Sequence, residues 1–557
     1  MSTPSPPRRS SRVRARPEAY ADQQAGYLAH DEQRALLHRA QREAERCEVS
    51  ESSDEESLLD EESSSSEDES EGKENSSPNA EWSTDTHHVK LPPFEELPGS
   101  RLPRDHPRSI LGYVRYFITE ELAATIATNT NLYAASKRAV AWQATTAAEV
   151  FQFLACHIFM GIVDLPSYHM YWEEDFRQSY VVNTFSRHRF EQLLRYFHIA
   201  EPTPPGTKHT VSDKIKPLYD LCQKTFPQYF VPEREFTLDE TMVRFKGRSP
   251  WKTVIKGKPT PIGYKLYTLA SLGYILAFHL YRGKGGYPKR QAIIHHTVTE
   301  LVKPWEGSGR ILYTDNLYTS PHLCEHLHRV GLLSCGTART NRKGLPPDLS
   351  TIMGALKPGE TKAWQQGQLG CLAWCDKRPL LMLSTHHKVD QMVTFKQDRG
   401  PNHPSTVTKP KIALDYNVHK CHVDTADQLR QSYAMQRRSL KNWPSLAWWL
   451  LDVCIVNAYT LWCLDTKAEI TQLDFRKSLL EELVDAYPIP HTHSQPTAPP
   501  HHPTPADSHW PGHSHKRGTC VHCSRGRAGR RMSEVVCKGC GVHLCMEPCF
   551  ELYHTAG

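Results

Sequence analysis

The chain has 557 residues, a formal net charge of +5 and a calculated pI of about 8.4. That length leaves room for several domains, and so mild a positive excess excludes a uniformly basic or uniformly acidic polyelectrolyte. The most apolar run, WWLLDVCIVNAYTLWCL at 448–464, is shorter than the ~20 residues a bilayer span needs and carries Asp452 and Asn457, so it predicts a buried helix and no membrane partner.

In chain order, residues 1–107 read as a disordered region. PPRRSSRVRAR near its start is basic and suits nuclear import, whereas 51–72, ESSDEESLLDEESSSSEDESEG, is almost wholly acid and serine. Such a tract cannot bury enough apolar surface to offset its chain entropy, and its serines suit an acid-directed kinase. Residues 108–233 carry apolar positions at helical spacing, as in AAEVFQFLACHIFMGIVDL and SRHRFEQLLRYFHIAE. From 234 to 344 the texture changes to short runs rich in β-branched and aromatic residues, then to alternating strand and helix, which predicts a mixed α/β sheet. Residues 345–410 read as a β-rich insertion, 411–433 as a return to the α/β core, and 434–488 as helical. The Pro- and His-rich stretch 489–518 reads as a spacer before a cysteine-rich end, 519–557. No signal-like apolar run opens the chain, and ten cysteines scattered from Cys47 to Cys463 suit a reduced, intracellular protein.

Acidic residues stand where apolar runs give out. Asp239 interrupts the strand-like FTLDETMVRF, with Leu238 on the opposite face, so one side packs while the other presents the acid. Asp315 follows the short apolar run ILYT, ahead of a helix start at Ser320-Pro321; Asp424 and Asp427 sit three apart on a helix and share a face. Acids converging from separate elements repel unless a cation relieves them, and oxygen donors suit Mg²⁺ or Mn²⁺. Spacing alone does not separate this arrangement from ordinary turn residues.

TLDETMVRFKGR, GYKLY, YTDNLYTS, GTARTNRKGLP, YNVHKCHVDTADQLRQSY and the following KNWP, in this order, resemble the piggyBac-like transposases from about Ile110 to the C-terminus. The resemblance implies an α/β fold with an RNase H-like catalytic core, residues 234–344 and 411–433, interrupted by the insertion. It also implies a mainly helical dimerisation and DNA-binding domain from 108–233 and 434–488. The family's catalytic aspartates map onto Asp239, Asp315 and Asp424, with an additional acid on Asp427, together holding two Mg²⁺ or Mn²⁺ ions. The implied activity is cut-and-paste transposition. Such enzymes nick the ends of an element at its terminal inverted repeats, pass through a hairpin, and join 3′ ends to double-stranded DNA at TTAA targets. A nuclear enzyme working as a dimer or higher oligomer follows. One departure stands out: the family has a small residue before Val-Asp in the third motif, where this chain has Cys421 and His422. A transposase-derived DNA- or chromatin-binding protein without cleavage is the alternative.

The C-terminal CVHC and CKGC pairs are a strong zinc signal. Eight candidate ligands imply two structural Zn²⁺ ions, interleaved as Cys520, Cys523, His543 and Cys545 on one and Cys537, Cys540, Cys549 and His554 on the other, with His522 a competitor. Arg525, Arg527, Arg530 and Arg531 between the pairs suit phosphates or guanine edges, although interleaved zinc also fits a RING-like protein-interaction module. Arg339, Arg342, Lys343, Arg437, Arg438 and Lys441 are further candidates for DNA contact, and Trp443 matches a family tryptophan near the active site.

Overall fold

The computed structural model describes residues 81–203, 207, 210–256, 258–283, 293–398, 404–437, 439, 441–488, 509–525 and 531–555. The acidic tract, the basic N-terminal run, most of the spacer, Arg438, Arg527 and Arg530 lie outside them. The chain divides into two compact units, one through Pro488 and one from Ile489 onward.

The larger unit is built on a nine-stranded sheet. A two-stranded ribbon of β1 (Gly99–Ser100) and β2 (Phe230–Val231) lies outside it. The sheet comprises β3 (Glu235–Arg244), β4 (Lys252–Val254), β5 (Ile262–Ser271), β6 (Tyr274–Leu280), β7 (Ile311–Thr314), β8 (Leu333–Ala338), β9 (Thr361–Gln366), β10 (Leu369–Cys375) and β11 (Pro379–Ser384). Its order is β4-β5-β3-β7-β8-β11-β10-β9, with β6 also on β5. The strands β3, β7 and β8 are mutually parallel, and their antiparallel flank β5–β6 completes the RNase H-like core. Alternation sorts the side chains of β10: Leu372 and Trp374 pack with Ile311, Tyr313 and Ile412, whereas Cys371 and Ala373 pack with Met353, Leu381 and Leu383 on the other face.

The helices of the first part begin where the sequence supplies caps. Ser109, Thr119, Thr146 and Ser186 each accept an N–H in the first turn of helices Ile110–Arg115, Glu120–Ser136, Ala147–Ile162 and Arg187–Tyr196. The apolar run at 448–464 lies in helix Pro444–Thr466, which is long and apolar enough to cross a membrane but is largely buried inside the protein. Asp452 and Asn457 within it are matched. Asn457 exchanges hydrogen bonds with the Ile275 backbone of β6, and Asp452 pairs with the fully buried Arg476 of helix Gln472–Ala486. Asp452 also accepts the Met435 N–H, just beyond the helix His422–Gln431.

Three boundaries differ from those expected. Within the region read as disordered, residues 81–107 are laid against the core. Trp82 donates to the Gly344 carbonyl, Ser83 bridges to Gln365, and Glu96 meets the buried Arg310 at 2.7 Å beneath the Phe94 ring. Widely spaced anchors on an extended strap leave no periodic signal. The insertion is not wholly separate either: β11 pairs with β8, so β9–β11 continue the core sheet, and only β12 (Met392–Asp398) and β13 (Pro404–Pro410) form a ribbon apart. Finally, β14 (Pro511–Thr519) pairs with β15 (Met532–Cys537), so the cysteine-rich unit begins inside the stretch read as spacer.

Candidate active site and metal centres

Asp239 and Asp315 are brought together by strand register. In the parallel pair β3–β7, Leu238 stands beside Thr314, and each acid is the next residue along. One carboxylate oxygen from each, with one from Glu240, lies within 4.8 Å of the others. The turn after β7 is firmly held: Asp315 Oδ1 accepts the Leu317 N–H at 2.9 Å, and the Thr319 hydroxyl donates to the Asp315 carbonyl at 2.8 Å. Ser320 then caps helix Pro321–Arg329, the start the sequence predicts. Gly336 of β8 belongs to this scaffold, since a Cβ there would stand 2.3 Å from the Thr314 carbonyl and from the Thr319 hydroxyl.

Burial, then Glu240, pushes both carboxyls up, that of Asp239 well above the ordinary range. Asp424, in the first turn of helix His422–Gln431, is likewise raised by burial. It lies outside the tight trio, but Lys258 relates it to them. Burial opposes the charge on the Lys258 ammonium, yet Asp239, Glu240, Asp424 and Asp315 together raise its pKa. Four acids facing one lysine retain excess negative charge, and their hard oxygen donors fit a divalent cation.

Asp427, like Asp424, lies outside the tight trio; its carboxylate bonds Arg430 Nε at 3.3 Å, and Arg430 is itself buried, so Asp427 also braces the helix. Two residues that the sequence reading missed, Glu240 and Lys258, stand in the site. Glu240 follows Asp239 directly, and strand alternation argues against it. It reaches Lys265 at 3.3 Å, where the burial of β3 is relieved at both positions. Cys421 precedes the helix with φ −96° and His422 opens it, so neither position needs the backbone freedom of a glycine.

In the smaller unit the two ligand sets are Cys520, Cys523, Cys545 and Cys549, and His509, Cys537, Cys540 and His554. The expected pairing is therefore corrected at two places. Cys549 joins the first set, with its sulfur 3.3 Å from that of Cys523, and His543 is in neither. His543 instead bridges to Val536 and bonds the Ser533 carbonyl through Nδ1. The place left in the second set goes to His509, from the stretch read as spacer, with Nδ1 3.2 Å from the Cys540 sulfur. A tetrahedral ion with bonds of ~2.3 Å needs sulfurs ~3.8 Å apart, so this donor set fits zinc. Backbone N–H groups of Cys523 and Cys545 overcome burial and bring the Cys520 thiol down to about 7, toward the thiolate a metal needs.

A family model described as Transposase IS4 matches residues 111–459. The chain belongs to the piggyBac-like transposase family. A second model, a DDE_Tnp_1-like zinc finger, matches residues 508–555, in agreement with a unit that begins before Pro511. Among human relatives, PiggyBac transposable element-derived protein 3 is 25% identical over 79% of this chain and 75% of its own length. PiggyBac transposable element-derived protein 5 is 23% identical over 75% and 84%. A solved piggyBac transposase, in a synaptic complex with hairpin DNA, has a similar fold, with a TM-score of 0.64 and 22% identity over 81% of this chain and 98% of that one.

Several of this transposase-family chain's expected DNA contacts are turned inward. Trp443 is 3% exposed and stacks near Phe197, as a core tryptophan does. Arg437 bonds the Ala434 and Gln436 carbonyls through Nη1 and pairs with Asp164, so most of its fork is turned to the protein. Arg342 holds the Asn316 and Leu317 carbonyls, and Arg339 reaches the Asn316 side chain; both support the Asp315 turn. Lys343 and Arg531 are exposed, and Arg525 ends helix Val521–Arg525. A basic group from separated segments joins Lys441, already a candidate, to Lys214 and Arg195, which the sequence reading missed. Lys441 donates to the Arg195 carbonyl at 2.6 Å; burial, then Lys214 and Arg195, lowers its pKa. Burial, with Lys441, Lys214 and Lys137 nearby, lowers His198 to about 4.

Proposed function

We propose that this chain is a metal-dependent DNA transposase of the cut-and-paste type, excising element ends through a hairpin and joining 3′ ends at TTAA targets. The observation that carries the reading is the register of β3 and β7, which sets Asp239 beside Asp315 at the same end of two parallel strands. Mg²⁺ or Mn²⁺ held on Asp239, Asp315 and Asp424 would supply Lewis acidity to phosphodiester displacement. The protein's own groups prepare the site. Arg342 and Thr319 fix the turn that aims Asp315, Lys258 tempers repulsion among the acids, and helix His422–Gln431 brings Asp424 toward them. The group around Lys441, Lys214 and Arg195 suits phosphate contact, and a nuclear, dimeric enzyme on double-stranded DNA is the corresponding setting. Two Zn²⁺ ions would hold the C-terminal unit on the ligand sets described above.

A second reading, a transposase-derived DNA- or chromatin-binding protein that does not cut, draws on the human relatives named as element-derived proteins and on the place of Asp424 outside the tight trio. An excision assay separates the two: a reporter interrupted by the cognate element is scored with the parent protein and with Asp315→Ala. Precise repair with the parent alone supports transposition. No excision by either, with end-binding retained, supports the second reading.

A further inference from the structure

We infer that His295, His322 and His326 form a transition-metal site, distinct from the catalytic acids and from the cysteine-rich unit, which takes Zn²⁺ or a similar borderline cation on three imidazoles. His295 lies on helix Ile293–Val302, and His322 and His326 lie four apart on helix Pro321–Arg329, so they share a face. The His295 ring is 4.7 Å from that of His322 and 5.0 Å from that of His326, centre to centre. Its Nε2 is sealed from solvent and makes no hydrogen bond among the described residues. A buried ring nitrogen left without a partner inside a group of histidines is what a ligand waiting for its cation looks like.

The chemistry of the donors narrows the ligand. Imidazole nitrogens suit zinc, copper and nickel, whereas Mg²⁺ and Ca²⁺ prefer oxygen, so this site selects against the ion that the catalytic acids fit. Zn–N bonds of ~2.0–2.1 Å call for donor nitrogens ~3.4 Å apart. The three donor atoms do not all lie within 4.8 Å of one another, so the exposed His322 ring has to turn to reach that spacing. Three protein nitrogens leave a fourth position for water. The bound ion would fasten the helix that follows the Asp315 turn to helix Ile293–Val302.

The test counts metal on the full-length protein. Parent, His322→Ala/His326→Ala and His295→Asn proteins are saturated with Zn²⁺, dialysed against a weak chelator, and assayed for bound zinc by atomic emission. The variants are expected to carry one equivalent fewer than the parent while keeping those of the cysteine unit. His322→Ala alone, at an exposed position, is expected to melt like the parent without added metal, to bind the third zinc at least tenfold more weakly, and to lose the rise in melting temperature that zinc gives the parent. Equal stoichiometry and equal affinity in parent and variants would overturn the site and leave the histidines as a stacked packing cluster.

Discussion

Asp239 and Asp315 are neighbours because Leu238 and Thr314 are paired in parallel one step before them. Neither acid needs a long loop to reach the other; the hydrogen-bond ladder of β3 and β7 sets their separation. The arrangement is strained electrostatically, since burial and the adjacent Glu240 raise both carboxyls.

Replacing either acid should therefore remove chemistry without removing the fold. Asp239→Ala and Asp315→Ala are each expected to abolish strand cleavage, by a factor of about 10³ or more, in line with loss of a charge-stabilising group. In metal-free buffer their melting temperatures should equal or exceed that of the parent, because a repulsive buried carboxylate is gone. Cleavage assays and thermal melts on the same preparations check both halves.

Asp424 and Asp427 should behave differently, although they share a helix face. Asp427→Ala leaves the buried Arg430 without its partner, and removing one member of a buried pair costs about 3 kcal/mol. Asp424→Ala should cost little stability and abolish cleavage. Urea titrations of the two variants check this; equal destabilisation would contradict the assignment of Asp427 as a brace.

Gly336→Ala should disturb the site from behind. The added methyl would meet the Thr314 carbonyl and Thr319 hydroxyl, which shape the Asp315 turn. Overpacking of this kind costs about 1–3 kcal/mol. Cleavage is expected to fall with DNA binding preserved, as measured by end-cleavage and anisotropy titrations.

The zinc assignments separate by variant. His509→Ala and Cys549→Ser should each cost the small unit one zinc equivalent, whereas His543→Ala should keep both, since its ring bonds the Ser533 carbonyl. Counting metal on the protein by atomic emission checks all three. Loss of zinc on His543→Ala would restore His543 as a ligand.

Histidine 157 supplies a pH dependence that can be isolated. Burial, opposed by a bond to the Phe153 carbonyl, holds its folded pKa at about 3, against an unfolded value near 6.5. Between those values the unfolded chain binds more protons, so its contribution is present above pH 6.5 and lost as pH falls toward 3. From pH 7 to pH 5 the parent should lose about 2 kcal/mol relative to His157→Gln. The buried Asp452, raised to about 6 by burial, runs in the opposite direction but is common to both proteins. Urea titrations at the two pH values give the double difference.

Much of the larger unit was legible in the sequence because its elements are periodic and its caps are local. The run ILYT followed by Asp315 and the Ser320-Pro321 start are present as β7, the turn and the capped helix. What escaped depended on tertiary placement. Glu240 lies on a strand whose alternation assigns it away from Asp239, and Lys258 comes from the loop between β4 and β5. His509 was hidden in a proline-rich stretch, where only the demand for a fourth ligand beside Cys537, Cys540 and His554 would have pointed to it. Arg437 was named for its sequence proximity to Asp424 and Trp443 for its match to a family position, and neither ground says which way a side chain turns; burial and carbonyl partners turn them inward.

The most direct measurement is cleavage of a labelled duplex carrying the element's terminal repeat by purified full-length protein, with and without Mg²⁺ or Mn²⁺. The account predicts nicking and a hairpin product with the parent in the presence of metal, and neither product with Asp315→Ala, at equal DNA occupancy. Cleavage by Asp315→Ala at the parent's rate, or cleavage by the parent in the presence of excess chelator, would contradict it.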